Sequence, residues 1–217
     1  MAEIKKECVH SLFDTKFIKV FDLEYAAGRH YYEATRRSED ELVAVKSDKE
    51  FSEMCPDAVT CIIILKKREG EPVLLLTYEY RYPAGRYLLS PPAGLIDDSD
   101  KAVPVPAVSA AVRETEEETG LKISSDDKVF PVAPLLFSSP GMTDESNALV
   151  CMVLENADVS SLSSAGAVGT EMFDGFELVD KKEAAKLLRA GTDKYGNYFS
   201  VYTWCALMYF VSGMWEQ

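Results

Sequence analysis

Four glutamates and one arginine crowd the stretch Ala107–Leu121, AVSAAVRETEEETGL. On a helix, Glu114 and Glu118 stack one turn apart, with Glu117 beside them. Helix dipoles favour carboxylates at the N-terminal end and cations at the C-terminal end, by about 0.3–1 kcal/mol each. These acids fill the last two turns, where the dipole and their mutual repulsion both oppose them. Arg113 can pair with Glu117 at i,i+4, which relieves only part of that. An acid cluster disfavoured on local grounds calls for outside positive charge. Mg2+ or Mn2+ fits, being a hard ion that prefers oxygen ligands. A solvated acidic face is the competing reading.

The helix itself is well marked. Pro106 suits its first turn and Gly120 the position just past its end, with Leu121 folding back as the apolar contact of such a cap. Val108, Ala111, Val112, Thr115 and Thr119 are expected to form the core-facing stripe, with Glu114 and Glu118 off it. Around it, Ala58–Lys66 and Val73–Tyr80 read as central strands joined by a turn at Gly70. Tyr87–Leu89, Pro131–Leu136, Ala148–Glu155 and Phe176–Val179 read as further strands. Lys181–Ala190 and Ser200–Ser212 read as helices, the last one buried. Upstream, Lys16–Tyr25 and Arg29–Arg37 flank Ala26-Ala27-Gly28 as a hairpin. Residues 1–57 are thus expected to be an N-terminal antiparallel β appendage, and 58–217 the main domain of α and β elements around one sheet.

The composition of the 217-residue chain narrows the chemistry. Asp and Glu (36) exceed Lys and Arg (23), for a net charge of −13, which argues against nucleic acid as a partner. Only His10 and His30 are present, so imidazole-based zinc sites and Ser-His-Asp chemistry have little support. Five scattered cysteines read as small apolar core residues of a reduced, cytoplasmic protein. No apolar run approaches the roughly 20 residues of a membrane helix, and the charged N-terminus does not read as a signal peptide.

Gly94-Leu95-Ile96-Asp97 before the helix and Arg113-Glu114-Thr115-Glu116-Glu117-Glu118-Thr119-Gly120-Leu121 at its end resemble the Nudix box, G-x5-E-x7-R-E-U-x-E-E-x-G-U, where U is bulky and apolar. The second half matches at every fixed position, with Thr115 at the first U. The first half departs twice: Asp100 replaces the family's first Glu, and five extra residues separate it from Arg113. The resemblance implies an α/β (α+β) fold, a Nudix-type α/β/α sandwich around a mixed sheet. It implies metal-dependent hydrolysis of a nucleoside diphosphate linked to another moiety. Mg2+ or Mn2+ would be held by Glu114, Glu117, Glu118 and the carbonyl of Ala93, with Glu117 also a catalytic helper.

Three further features resemble the ADP-ribose pyrophosphatase branch. Arg81-Tyr82-Pro83 leads into Pro92-Ala93-Gly94-Leu95-Ile96-Asp97, Ser139–Glu145 reads SPGMTDE, and the N-terminal hairpin precedes both. The branch places Arg81 on the substrate's phosphates, the favoured reading over a simple pair with a surface acid. Gly141 and Glu145 fall in its substrate-binding loop, Glu145 as a bracing residue. The hairpin, exchanged across a homodimer, would offer Phe17 and Tyr32 to stack on adenine, one from each strand, although either ring taken singly reads more readily as hairpin core. A catalytic Glu is expected from the long Asn156–Asp174 loop. Glu171 is the choice, with Gly169-Thr170 before it to allow motion, and Asp174 and Glu155 are its rivals. Ser90-Pro91 departs from the branch, which keeps another nucleotide sugar such as GDP-mannose open as substrate. The altered half-box keeps open a sensing module that binds a nucleotide without cleaving it.

Overall fold

A computed structural model describes residues 4–166 and 171–216. The chain divides into two compact units, Met1–Asp57 with Leu135–Asn147, and Ala58–Pro134 with Ala148–Gln217.

In the first unit, β1 (Val9–Asp14), β2 (Lys19–Ala26) and β3 (Arg29–Thr35) form an antiparallel sheet in that order. Gly28 turns the β2–β3 hairpin at φ 66°, in the left-handed region that favours glycine. Sequence analysis finds no strand at β1, because five of its six residues are exposed and no buried face imprints a period. Lys16–Ile18, expected to begin the hairpin strand, is instead a turn held by Thr15, whose hydroxyl donates to the Ile18 carbonyl and accepts from the Ile18 N–H. Val9, Phe21, Leu23 and Leu42 form a small separate core. A short helix, α1 (Asp48–Ser52), starts at a reciprocal cap between Ser47 and Glu50.

The second unit contains β4 (Ala58–Lys66), β5 (Val73–Arg81), β6 (Arg86–Ser90), β7 (Ala93–Leu95), α2 (Pro106–Thr119), β8 (Lys128–Phe137), β9 (Ser146–Glu155), β10 (Phe173–Asp180), α3 (Lys181–Ala190) and α4 (Val201–Ser212), with β8 and β9 extending into the residues of the first unit. The sheet runs β10-β5-β4-β9-β8, with β6 paired to β5 and β7 to β4. Residues 58–65 of β4 are all buried, as a strand covered on both faces must be. Ile62 and Ile64 enter the core with Ala206, Leu207 and Phe210 of α4. Cys61, one residue out of phase, meets the Ala111 carbonyl of α2 at 3.7 Å. The two-residue period of the strand therefore puts α2 and α4 on opposite faces of the sheet, as the sandwich requires. Helix α4 buries Thr203, Ala206, Leu207 and Phe210 but exposes Val201, Trp204 and Met208, so only one of its faces belongs to the core.

Candidate active site

Helix α2 begins at Pro106 and ends at Gly120, which sits at φ 72° and donates its N–H to the Glu116 carbonyl. A second terminal carbonyl, that of Thr119, accepts from the N–H of Ser163. Gly166 passes so close to the Glu117 carbonyl that a Cβ there would leave 2.5 Å. The helix is rotated from the expected orientation. Its buried face is Ala107, Ala110, Ala111, Glu114, Thr115, Glu118 and Thr119, whereas Val108 and Val112 are half-buried. Glu114 and Glu118 thus lie on the buried side rather than off it. Small alanines allow the helix to approach the sheet there, and they carry too little hydrophobicity to show in a periodicity count.

Glu118 is 2% exposed and its Oε2 has no hydrogen-bond partner. Burial first, then the nearby charges of Glu79, Glu114 and Glu171, push its carboxyl up to about 9, against one favourable hydrogen bond from the Ala93 N–H. Glu114 is also raised by burial, with the Arg113 guanidinium opposing. Gly94 on β7 faces the Glu114 carboxylate so closely that any Cβ would collide with it. The Gly of the box is thus a seat for a glutamate, which explains why that residue type is needed there.

Arg113 organises the outer side of the cluster. It donates to Glu114 Oε1 at 2.7 Å, Glu117 Oε2 at 3.2 Å, Asp100 Oδ2 at 2.8 Å and the Leu95 carbonyl at 2.9 Å. Asp100 is 2% exposed, and a short 3-10 turn, Asp100–Ala102, takes up part of the inserted stretch. The five extra residues therefore leave the pairing of the box's first acid with its arginine intact.

Glu171 is half-buried and acts electrostatically on Glu79, Glu114 and Glu118, which places it in the cluster. Its rivals lie elsewhere: Glu155 pairs with Lys66 at 2.8 Å, and Asp174 is exposed on β10. Gly169 and Thr170 lie outside the described residues. Arg81 meets a carboxylate after all, Glu79, at 2.6 Å. Glu79 is not among the residues expected at the site. The available signal was its place two residues before Arg81 on a strand, which points both side chains the same way.

In the first unit, Tyr32 on β3 is 59% exposed and Phe17, on the β1–β2 turn rather than on a strand, is 69% exposed. The Gly141 carbonyl accepts from the Tyr31 hydroxyl at 2.6 Å, and Glu145 pairs with Arg36 at 3.3 Å. A cavity of about 320 Å3 is lined by Leu23, Tyr31, Phe51, Phe137, Met142 and Glu33. Glu33, also missed, is 8% exposed with Oε1 unpartnered, and burial with the Asp144 charge raises its carboxyl to about 7 against the pull of Arg37.

The donor set of α2 is all oxygen, with one buried carboxylate oxygen lacking any partner, and so fits a hard divalent ion. Among the described residues no three His, Cys, Asp or Glu side chains are already gathered as a cage, and Arg113 donates to both Glu114 and Glu117. Burial pushes the Cys61, Cys151 and Cys205 thiols up, in keeping with inert core residues. No described helix is long and apolar enough to cross a membrane.

These features define a Nudix fold carrying the acidic helix of its box, and comparison with known proteins agrees. The NUDIX domain model matches residues 54–199, and the chain belongs to that family. It is 38% identical to Nudix hydrolase 14, chloroplastic, of Arabidopsis thaliana, over 45% of this chain and 35% of that one. It is 30% identical to the ADP-sugar pyrophosphatase of Mus musculus, over 49% of this chain and 44% of that one. The chain spans less than half the length of these relatives. A solved structure of an ADP compounds hydrolase shares the fold at a TM-score of 0.55 and 16% identity, covering 94% of this chain and 92% of that one.

Proposed function

We propose that the chain hydrolyses the diphosphate bond of a nucleoside diphosphate derivative, with ADP-ribose, giving AMP and ribose 5-phosphate, as its first substrate. The observation that carries this reading is Glu118, a buried carboxylate with an orphan oxygen, surrounded by three more acids and short of positive charge. Glu114, Glu117, Glu118 and the Ala93 carbonyl would hold Mg2+ or Mn2+. When bound, such an ion screens the diphosphate and makes water a better nucleophile.

The chain's own residues supply the rest. Arg81 orients a phosphate, for which a guanidinium fork is suited. Glu171 takes the proton of the attacking water as that oxygen bonds to phosphorus and the bridging P–O bond breaks. Arg113 and Gly94 fix Glu114. Phe17 and Tyr32 offer exposed rings for a base, and Gly141 and Glu145 belong to the substrate loop. The similarity to an ADP-sugar pyrophosphatase supports ADP-linked substrates over GDP-mannose. The Asp100–Arg113 pair argues against a non-catalytic sensor, because the altered half-box still braces the acids.

The test is AMP release from ADP-ribose with and without Mg2+ or Mn2+, comparing the parent chain with Glu118→Gln. Metal-dependent turnover that collapses in the variant supports the assignment, and binding without turnover would revive the sensor. A homodimer that exchanges its hairpins predicts that removing residues before Ala58 leaves an inactive monomer, and an active monomer would sink that idea.

A further inference from the structure

Glu79 and Arg81 are alternate residues of β5 and point to the same face of the strand. Their ion pair is short, Nη2 to Oε2 at 2.6 Å, and the Glu79 side chain is only 12% exposed against 43% for Arg81. Glu79 also bears on Glu118, and Glu171 bears on Glu79. Arg81 is therefore neutralised internally, inside the same acidic field as the α2 glutamates. A phosphate approaching it meets a competitor already seated on the guanidinium, with like charge behind it.

We propose that Glu79 is a positioning residue that couples cation and anion binding: it holds Arg81 in an internal ion pair, and the arginine turns to phosphate only once the surrounding carboxylates are neutralised. The proposal rests on the reading of Arg81 as a phosphate contact. It adds that the arginine is withheld from anions until then, so phosphates bind more weakly when no cation is bound. Coupling of this kind is reciprocal, so a bound cation raises the affinity for the anion by the same factor as a bound anion raises that for the cation.

Isothermal titration of the 217-residue chain with inorganic pyrophosphate in EDTA tests this. Glu79→Gln keeps the shape of the side chain and removes its charge, so metal-free pyrophosphate affinity should rise about fivefold, the scale of one partly exposed ion pair. In Glu79→Gln/Arg81→Ala the gain should vanish. A purely structural role for Glu79 predicts weaker binding, not stronger. Glu79→Asp, shorter by one methylene, gives a smaller gain and serves if the Gln variant melts early. An unchanged or weaker affinity in the Glu79 variants, with Arg81→Ala weakening binding, overturns the coupling and spares the phosphate contact. No effect of Arg81→Ala in either background overturns both.

Discussion

Two buried acid clusters in this chain are each organised by one arginine, and they end in opposite states. Around Arg37, Asp57 accepts from Nη2 at 2.6 Å and from the Ser146 N–H and hydroxyl. Asp144 accepts from the Thr35 hydroxyl and the Val43 N–H and lies 3.3 Å from Arg37 Nε. Both acids there are matched by protein donors. Around Arg113, Asp100 and Glu114 are matched, but Glu118 keeps an unpartnered oxygen with three acids near it. In the first cluster Asp57 and Asp144 are held by protein donors and join segments distant in sequence, while Glu33 beside Asp144 keeps an unpartnered Oε1. The second leaves a buried carboxylate oxygen without a protein donor, the feature on which the proposed cation site rests.

The sharpest break of this contrast is Glu118→Gln. Its kcat on ADP-ribose should fall about 10^2–10^4-fold, while urea unfolding of the metal-free variant should show no loss of stability. A variant that unfolds readily would make Glu118 a structural acid like Asp57. Next, Arg37→Ala should cost about 3–5 kcal/mol in urea unfolding, because it strands Asp57 and Asp144. Near-parental stability would mean that the first cluster is not a brace.

Glu33 sharpens the comparison from within the first unit. Its folded pKa of about 7 lies above the ordinary 4.5, so between those values the unfolded state ionises while the folded one keeps its proton. Its contribution is complete below pH 4.5 and is lost as pH rises to about 7, on the order of 3 kcal/mol in all. Glu33→Gln should remove that slope in urea titrations run from pH 4.5 to 8, and parallel pH curves for the two proteins would refute it. The smallest effect is expected from Gly94→Ala, whose methyl displaces the Glu114 carboxylate. Mn2+ affinity, read by electron paramagnetic resonance, should weaken about 10–100-fold, as when a group orienting a ligand is lost. Unaltered affinity would take Glu114 out of the metal set.

The most legible parts were the strands and helices with strong local signals. Ala58–Lys66, Pro106–Thr119 and Lys181–Ala190 appear with the bounds read from sequence, because turn, proline and glycine signals delimit the apolar run of the strand and both helices. Exposed β1 had no such period. Glu79 and Glu33 were missed for another reason: a single acid on a strand looks like surface until the strand is buried. The rotation of α2 was missed because alanines mark a face by being small, which no hydrophobic count registers.

Residue type and spacing alone determined that Glu114, Glu117 and Glu118 share a helix, that Arg113 can reach Glu117, and that the chain resembles the Nudix family. The first two are local properties, fixed by the 3.6-residue period, while the third rests on the motif's resemblance to the Nudix box. Only the tertiary structure decided that Glu118 is buried with one oxygen unpartnered, that Asp100 reaches Arg113 across the inserted residues, and that Glu79 pairs with Arg81. Each depends on which groups exclude water from a charge and which supply its counter-charge, and both come from residues distant in the chain.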